Sequence, residues 1–167
     1  MTISIKSRYT DALSARKIQE SDFIDYFHHY DDDICRVLKS TKFKLYKDFK
    51  KWITKQLQDR HIYILENQKL GFIGSFGYEV FSELAYIHYW VSKKYQGLGY
   101  GLYLINFLKN KATENCIHAL FAEVDEQNKA SQKLLTRAGF VSLDQFPEFV
   151  EDKNISYAFF TGVTTYV

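Results

Sequence analysis

The run Val91-Ser92-Lys93-Lys94-Tyr95-Gln96-Gly97-Leu98-Gly99-Tyr100-Gly101 decides the fold, because the residue pattern changes period across it. Before it, Glu83 to Ser92 is rich in aromatic and β-branched residues on both alternating faces, as in a strand near the middle of a sheet. After it, Gly101, Ile105, Leu108 and Ala112 recur at helical spacing, so a helix begins near Gly99 and runs to about Asn115. Between the two, glycines at alternate positions let backbone N–H groups converge with no side chain in the way. The free N–H groups and the dipole of the helix's first turn add to them. Such a loop suits a phosphate or pyrophosphate; it also suits a plain tight turn. It lacks the G-x-G-x-x-G spacing of a dinucleotide site, and no Gly-Lys-Ser/Thr follows as in a P-loop.

Downstream, Ala119 to Val124 reads as a strand, and Asn128 caps a helix whose buried face is Ala130, Leu134 and Ala138, ending at Gly139. Strands near Phe140 to Leu143 and Ile155 to Thr161 follow. Upstream, Ala12 to Ile18 is a short strand, Ser21-Asp22 starts a helix, and the acidic run Asp31 to Asp33 interrupts the chain. A second amphipathic helix spans Lys42 to Leu57, with Leu45, Phe49, Trp52, Ile53 and Leu57 on one face. Ile62 to Leu65 and Leu70 to Phe76 form a hairpin around Asn67-Gln68-Lys69. Strands alternating with helices in the second half imply an α/β domain with a mixed sheet and helices on both faces.

Composition supports one packed domain over residues 1–167: hydrophobic residues make up 46%, with a single proline. Lys and Arg number 22 against 20 Asp and Glu, a near balance that argues against a nucleic-acid partner. No window approaches the roughly 18 apolar residues of a membrane span. Cys35 and Cys116 have no framework spacing, no set of metal ligands stands out, and the N-terminus shows no secretory pattern, so a cytoplasmic setting is expected. The aromatic share of 17% exceeds what a small core needs and points to pocket lining as well.

Gln96-Gly97-Leu98-Gly99-Tyr100-Gly101, read with Phe121 to Phe140, resembles the GNAT superfamily of N-acetyltransferases, in which a Q/R-x-x-G-x-G/A loop holds the pyrophosphate of coenzyme A. Thr10 through Asp22, Tyr89-Trp90-Val91, and Asn128 with Ser131 before Gly139-Phe140 are similar to its ribosomal-protein-alanine acetyltransferase (RimJ/RimL-type) branch. The resemblance implies a mostly antiparallel sheet splayed between its fourth and fifth strands, with acetyl-CoA as cofactor. Its pantetheine arm would pair with the backbone at Trp90 and Val91, with an N–H near Val91 facing the thioester oxygen. Asn128 would hydrogen-bond that arm as well as cap its helix, and Lys93, Lys94 and Lys133 are further candidates for the phosphates, though isolated surface lysines are usually solvated.

The implied reaction needs a group to take a proton from an attacking amine and another to give one to the leaving sulfur. Many family members place an acid where this chain has Tyr86, so the proton acceptor is open among Tyr86, His88, Glu83, Glu123 and a water chain. A tyrosine seven residues after the Asn often serves as acid; here that position is Leu135. In the branch named above, a serine close to the sulfur corresponds to Ser131, whose plain role is a first-turn hydroxyl. Glu148 and Glu151 are candidates for the acceptor mouth, and Phe43, Phe49 and Trp52 for its wall. The leading reading is direct acetyl transfer to a primary amine, either a protein N-terminus or a small amine. The alternative is a non-catalytic acyl-CoA-binding module; a phosphate-loop nucleotide binder is weaker. Monomer and homodimer are both open.

Overall fold

The computed structural model describes residues 13–143 and 154–162. Thr10 to Ala12, Glu148 and Glu151 therefore lie outside the described residues. The elements run β1 (Leu13–Lys17), α1 (Phe23–His29), α2 (Asp32–Val37), α3 (Tyr46–Asp59), β2 (Arg60–Asn67), β3 (Gly71–Phe81), β4 (Leu84–Val91), α4 (Tyr100–Glu114), β5 (Ala119–Asp125), α5 (Lys129–Arg137), β6 (Val141–Ser142) and β7 (Asn154–Phe160). They build a sheet of seven strands in the order β1-β2-β3-β4-β5-β7-β6. Every pairing is antiparallel except β4 with β5. The mixed, mostly antiparallel sheet with helices on both faces is the one expected.

Alternation along β4 explains the two layers. Ala85, Ile87 and Tyr89 face α4 and α5, where Leu104, Ile105, Leu108 and Leu135 are fully buried. Trp90 faces the other way, into a cluster with Phe23, Tyr26, Tyr30 and Phe49 from α1 and α3. Both faces of β4 therefore carry bulky apolar residues, with Tyr86 exposed and His88 half-buried on the side of Trp90.

β4 and β5 pair only at Leu84–Tyr86 with Ala119–Phe121. Beyond Tyr86 and Phe121 the two strands diverge and leave a wedge-shaped crack that opens towards Ser92 and the glycine loop. This is the splay that the resemblance implied, and it puts a backbone edge of Ile87–Val91 without a ladder partner among the described residues.

Four local expectations change. The acidic run does more than interrupt: the Asp31 side chain accepts from the Ile34 N–H at 3.0 Å and starts α2, a short helix with no periodic signal of its own. The turn before α1 is held by a reciprocal box between Gln19 and Asp22 rather than by Ser21. In α3, Phe49 and Ile53 are buried whereas Leu45 and Leu57 are exposed; Leu45 falls outside the helix, which starts at Tyr46. In α5 the buried face is Leu135 with Ala138, and Ala130 is exposed. Leu134 and Ala138 pack on the core as expected, Leu134 next to Gly101 of α4, so the face differs only in taking Leu135 and leaving out Ala130.

Candidate active site

The loop between β4 and α4 is shaped by backbone geometry. Gly97 and Gly99 sit at φ +77° and +89°, the left-handed region that favours glycine, and a Cβ on either would meet nothing within 4 Å. Both face open space, so a ligand can approach the main chain closely. Gly99 is the N-cap of α4 and carries no capping side chain, which leaves the first-turn N–H groups of α4 for a ligand. Gln96 Nε2 donates to the Val91 carbonyl at 3.0 Å and folds the loop back onto the strand end. Gly101 acts through its size, since a Cβ there would stand 2.8 Å from Leu134 Cδ2 and hold α4 and α5 apart. A pyrophosphate fits this donor set. Leu98 is exposed at the loop tip.

Tyr95 and Tyr100 lie beneath the loop rather than in it. Both rings are buried, edge to face at 6.3 Å, and the Tyr95 hydroxyl donates to the Leu70 carbonyl at 2.9 Å. What Tyr100 presents at the helix start is its main chain. Of the candidate lysines, Lys93 pairs with Asp33, Lys94 lies 4.6 Å over the Tyr95 ring, and Lys133 is exposed.

Across the crack, Asn128 caps α5: its Oδ1 accepts from the Ser131 N–H at 3.1 Å. This fixes Ser131 in the first turn, where its hydroxyl is hydrogen-bonded to the Tyr89 hydroxyl from the opposite arm. Burial is the main cause that pushes the Tyr89 phenol up to about 12. Leu135, where a tyrosine acid is common, is wholly buried in the core and serves packing.

The other face of the crack carries His88 and Glu123. Tyr86 and His88 alternate with the α4-facing residues of β4, and Phe121 and Glu123 do the same on β5. The Tyr86 ring lies 5.9 Å from Phe121 at the last paired rung, so it borders the crack's apex. His88 stands over Gly77: a Cβ on Gly77 would come 2.8 Å from the imidazole Cε1 and Nε2. Burial first, and Arg60 second, pull the His88 imidazole down to about 4, so it is neutral at pH 7 and weakly basic. Glu123 is exposed. Glu83 lies before β4, where its carboxylate meets His118 Nδ1 at 3.0 Å, at the opposite end of the strand from the glycine loop.

Four contacts had no signal in the sequence because they join distant segments. His29 Nδ1, at the end of α1, lies 2.9 Å from Ser92 Oγ at the base of the loop. Asp33 on α2 pairs with Lys93 on one lip of the crack, and Lys39 reaches Asp125 at 3.2 Å and Asn154 Oδ1 at 2.8 Å on the other. The α2 segment therefore straps the two arms together. Trp90 belongs to the packed layer, its Nε1 donating to Tyr26 Oη at 3.2 Å, so only its backbone faces the crack. Phe43, Phe49 and Trp52 form one aromatic group, with Phe49 fully buried, and support the wall from behind.

Residues 17–140 match the family model described as Acetyltransferase (GNAT) family. Among solved structures, the fold is similar to spermidine N-acetyltransferase from Vibrio cholerae, solved in complex with CoA and spermine, with TM-score 0.77 and 15% identity over 92% of this chain and 98% of that one. It is also similar to ribosomal-protein-alanine N-acetyltransferase from Brucella melitensis, with TM-score 0.69 and 20% identity over 87% of this chain and 96% of that one. No curated protein matches by sequence. No helix among the described residues is long and apolar enough to cross a membrane.

Proposed function

The chain belongs to the acetyltransferase (GNAT) family, and on that premise we propose that residues 1–167 form one acetyl-CoA-dependent N-acetyltransferase domain that moves the acetyl group to a primary amine by direct attack. The observation that carries this reading is the crack beyond Tyr86 and Phe121, which runs along an unpaired strand edge into a loop with Gly97 and Gly99 in left-handed geometry. Bound acetyl-CoA supplies an activated acetyl carbon and a thiol leaving group. Gln96 to Gly101 take the pyrophosphate on backbone N–H groups, the Trp90–Val91 backbone pairs with the amide arm as an added strand, and Asn128 and Ser131 meet it from the far lip. An N–H near Val91 stabilises the charge that develops on the thioester oxygen.

The amine enters on the His88 and Glu123 face. A weakly basic, neutral His88 takes a proton readily only from a nitrogen made acidic by bonding to the acetyl carbon, and exposed Glu123 passes protons to water. Tyr86 borders the same side. The acceptor is a small amine, such as a polyamine, or a protein N-terminus. A thiol intermediate has no support: Cys35 is a buried residue of α2 within the aromatic layer, and Cys116 lies past the end of α4, at the opposite end of that helix from the loop. These two free thiols accord with a cytoplasmic setting.

The test is thiol release from acetyl-CoA with a panel of polyamines, amino acids and peptides, alongside CoA binding by calorimetry. Turnover with at least one amine, reduced in His88→Ala or Glu123→Gln, is the expected result. CoA binding with no turnover on any amine would assign the protein to the non-catalytic binding modules instead, and absence of CoA binding would end both readings.

A further inference from the structure

We propose that the acceptor is a monoamine with an apolar body, an alkyl or aryl group several carbons long, which lies on the exposed rings of Tyr86, Phe121 and Phe81; this narrows the small amines above and rests on the acetyltransferase reading. The sheet face that carries His88 is covered unevenly. Over β2, β3 and the end of β4 it is filled by α1 and α3, with Trp90 and Phe72 packed against Tyr26. Towards the mouth of the crack it is crossed by the α2 segment, through Asp33 with Lys93 and Lys39 with Asp125. A body attached to an amine beside His88 therefore has its way open past the apex, over the last paired rung of β4 and β5.

What stands there is apolar. Phe81 pairs with Leu84 across the hairpin end of β3 and β4, and Phe160 on β7 stands opposite Ala119, in the row of Leu84. The rings of Phe81 and Tyr86 meet edge-on at 5.9 Å, and Tyr86 lies tilted at 5.9 Å from Phe121, so one aromatic path runs from the crack to the hairpin tip. Phe81, Leu84, Tyr86 and Phe160 are each between 42% and 64% exposed. One exposed apolar residue needs no explanation; several on one face of adjoining strands, leading out of a reaction crack, mark a ligand surface.

The charges that border the path suit one ammonium rather than several. Glu123, exposed and one alternation beyond Phe121, stands beside the crack where the amine enters. Farther out, Glu79 lies opposite Tyr86, and its carboxylate is taken by Arg60 Nε at 3.1 Å. The guanidinium is also close enough to depress the His88 imidazole, so a second ammonium on the acceptor would meet a cation there. A polyamine is opposed where an alkyl chain is accommodated.

Strand geometry sets the scale of the test: two residues of β4 span about 7 Å, so about five methylenes carry a chain from the level of His88 to Tyr86, and longer chains approach Phe81. Thiol release from acetyl-CoA is measured across linear amines from butylamine to octylamine, with 2-phenylethylamine and spermidine alongside. The expected kcat/KM rises about twofold per methylene, half the free energy of complete burial because the face is open. Spermidine falls about tenfold below octylamine and below 2-phenylethylamine. Phe81→Ser lowers kcat/KM for octylamine about threefold more than for butylamine, whereas Tyr86→Ser lowers both. Arg60→Gln, which releases Glu79, narrows the gap between spermidine and octylamine, and KM for acetyl-CoA reports in each variant that the cofactor side is intact. A flat alkylamine series, or spermidine turned over more efficiently than octylamine, would overturn the inference and leave the acetyltransferase reading standing. No thiol release with any amine, or a wild type that binds no CoA, would remove both.

Discussion

The two layers that sandwich the sheet do different kinds of work. On the α4–α5 side the core is largely aliphatic, and what it offers a ligand is mostly main chain: the glycine loop, the first turn of α4 and the free edge of β4. On the α1–α3 side the core is aromatic, with Tyr26 edge-on to Trp90 at 5.1 Å and tilted on Phe49 at 5.3 Å, and what it offers is side chains, His88 and Glu123. A backbone site needs only a local order of residues. A side-chain site needs several distant segments to arrive together, and its chemistry is tuned by whatever those segments bury.

The contrast between the layers is most exposed to challenge at Trp90. Trp90→Ala empties the centre of the aromatic layer and is expected to lower stability by about 4 kcal/mol in urea unfolding; a loss below about 1 kcal/mol would mean that the layer repacks and that the two faces differ little in rigidity. Gly77→Ala comes next. Its Cβ would stand 2.0 Å from the His61 carbonyl oxygen as well as against the His88 ring, and a cost of about 2–3 kcal/mol is expected, with turnover falling because the imidazole is displaced.

The backbone side is probed by Gly99→Ala, for which left-handed geometry costs an alanine about 1–2 kcal/mol. There the sharper expectation concerns binding: affinity for CoA drops while KM for the amine holds, and an unchanged CoA affinity would mean that the loop does not hold the phosphates. The remaining test is a pH slope at His88. His88 takes up its proton near pH 4 in the folded chain but near 6.5 when unfolded, so below pH 6.5 the unfolded state binds more protons. Stability from this residue is therefore full above pH 6.5, falls as the pH is lowered, and levels off below about 4; His88→Asn should flatten that part of the curve in denaturation at stepped pH.

Much of the fold was legible because it is written in short-range pattern. The change of period at Gly97 to Gly101 located β4, α4 and the loop, and the Asn128 cap with Gly139 at φ +87° bounded α5. What escaped was long-range. Asp31 to Asp33 read as a break because nothing local says that Asp31 caps a helix whose partners are Lys93 on one side and, through Lys39, Asp125 on the other. The basicity of His88 was equally hidden: it is set by Gly77 beneath it and by Arg60, neither of which adjoins it in the chain. Tyr89 and Ser131 stood in view as separate residues, and only the splay brings their hydroxyls together.

Arg16 illustrates how the first strand is tied to the rest. Its guanidinium forks to both Asp22 oxygens at 2.8 Å and reaches Glu66 Oε1 at 2.9 Å and Oε2 at 3.0 Å. Burial alone would raise the Asp22 carboxyl, but the Arg16 hydrogen bonds outweigh it and hold the group below the ordinary carboxylate range. Acid that protonates Asp22 loosens β1, β2 and the turn into α1 at once.

The α2 segment joins the two arms at the open end of the crack, away from the rungs where β4 and β5 pair. Asp33, near the start of α2, pairs with Lys93 on one lip, and Lys39, two residues past the helix end, reaches Asp125 on the other, so the segment links the lips through exposed ion pairs. Lys93 adjoins the glycine loop and Asp125 lies three residues before the Asn128 cap, so the flanks of both lips touch the same segment. The gap is thereby bridged by a third element that belongs to neither arm.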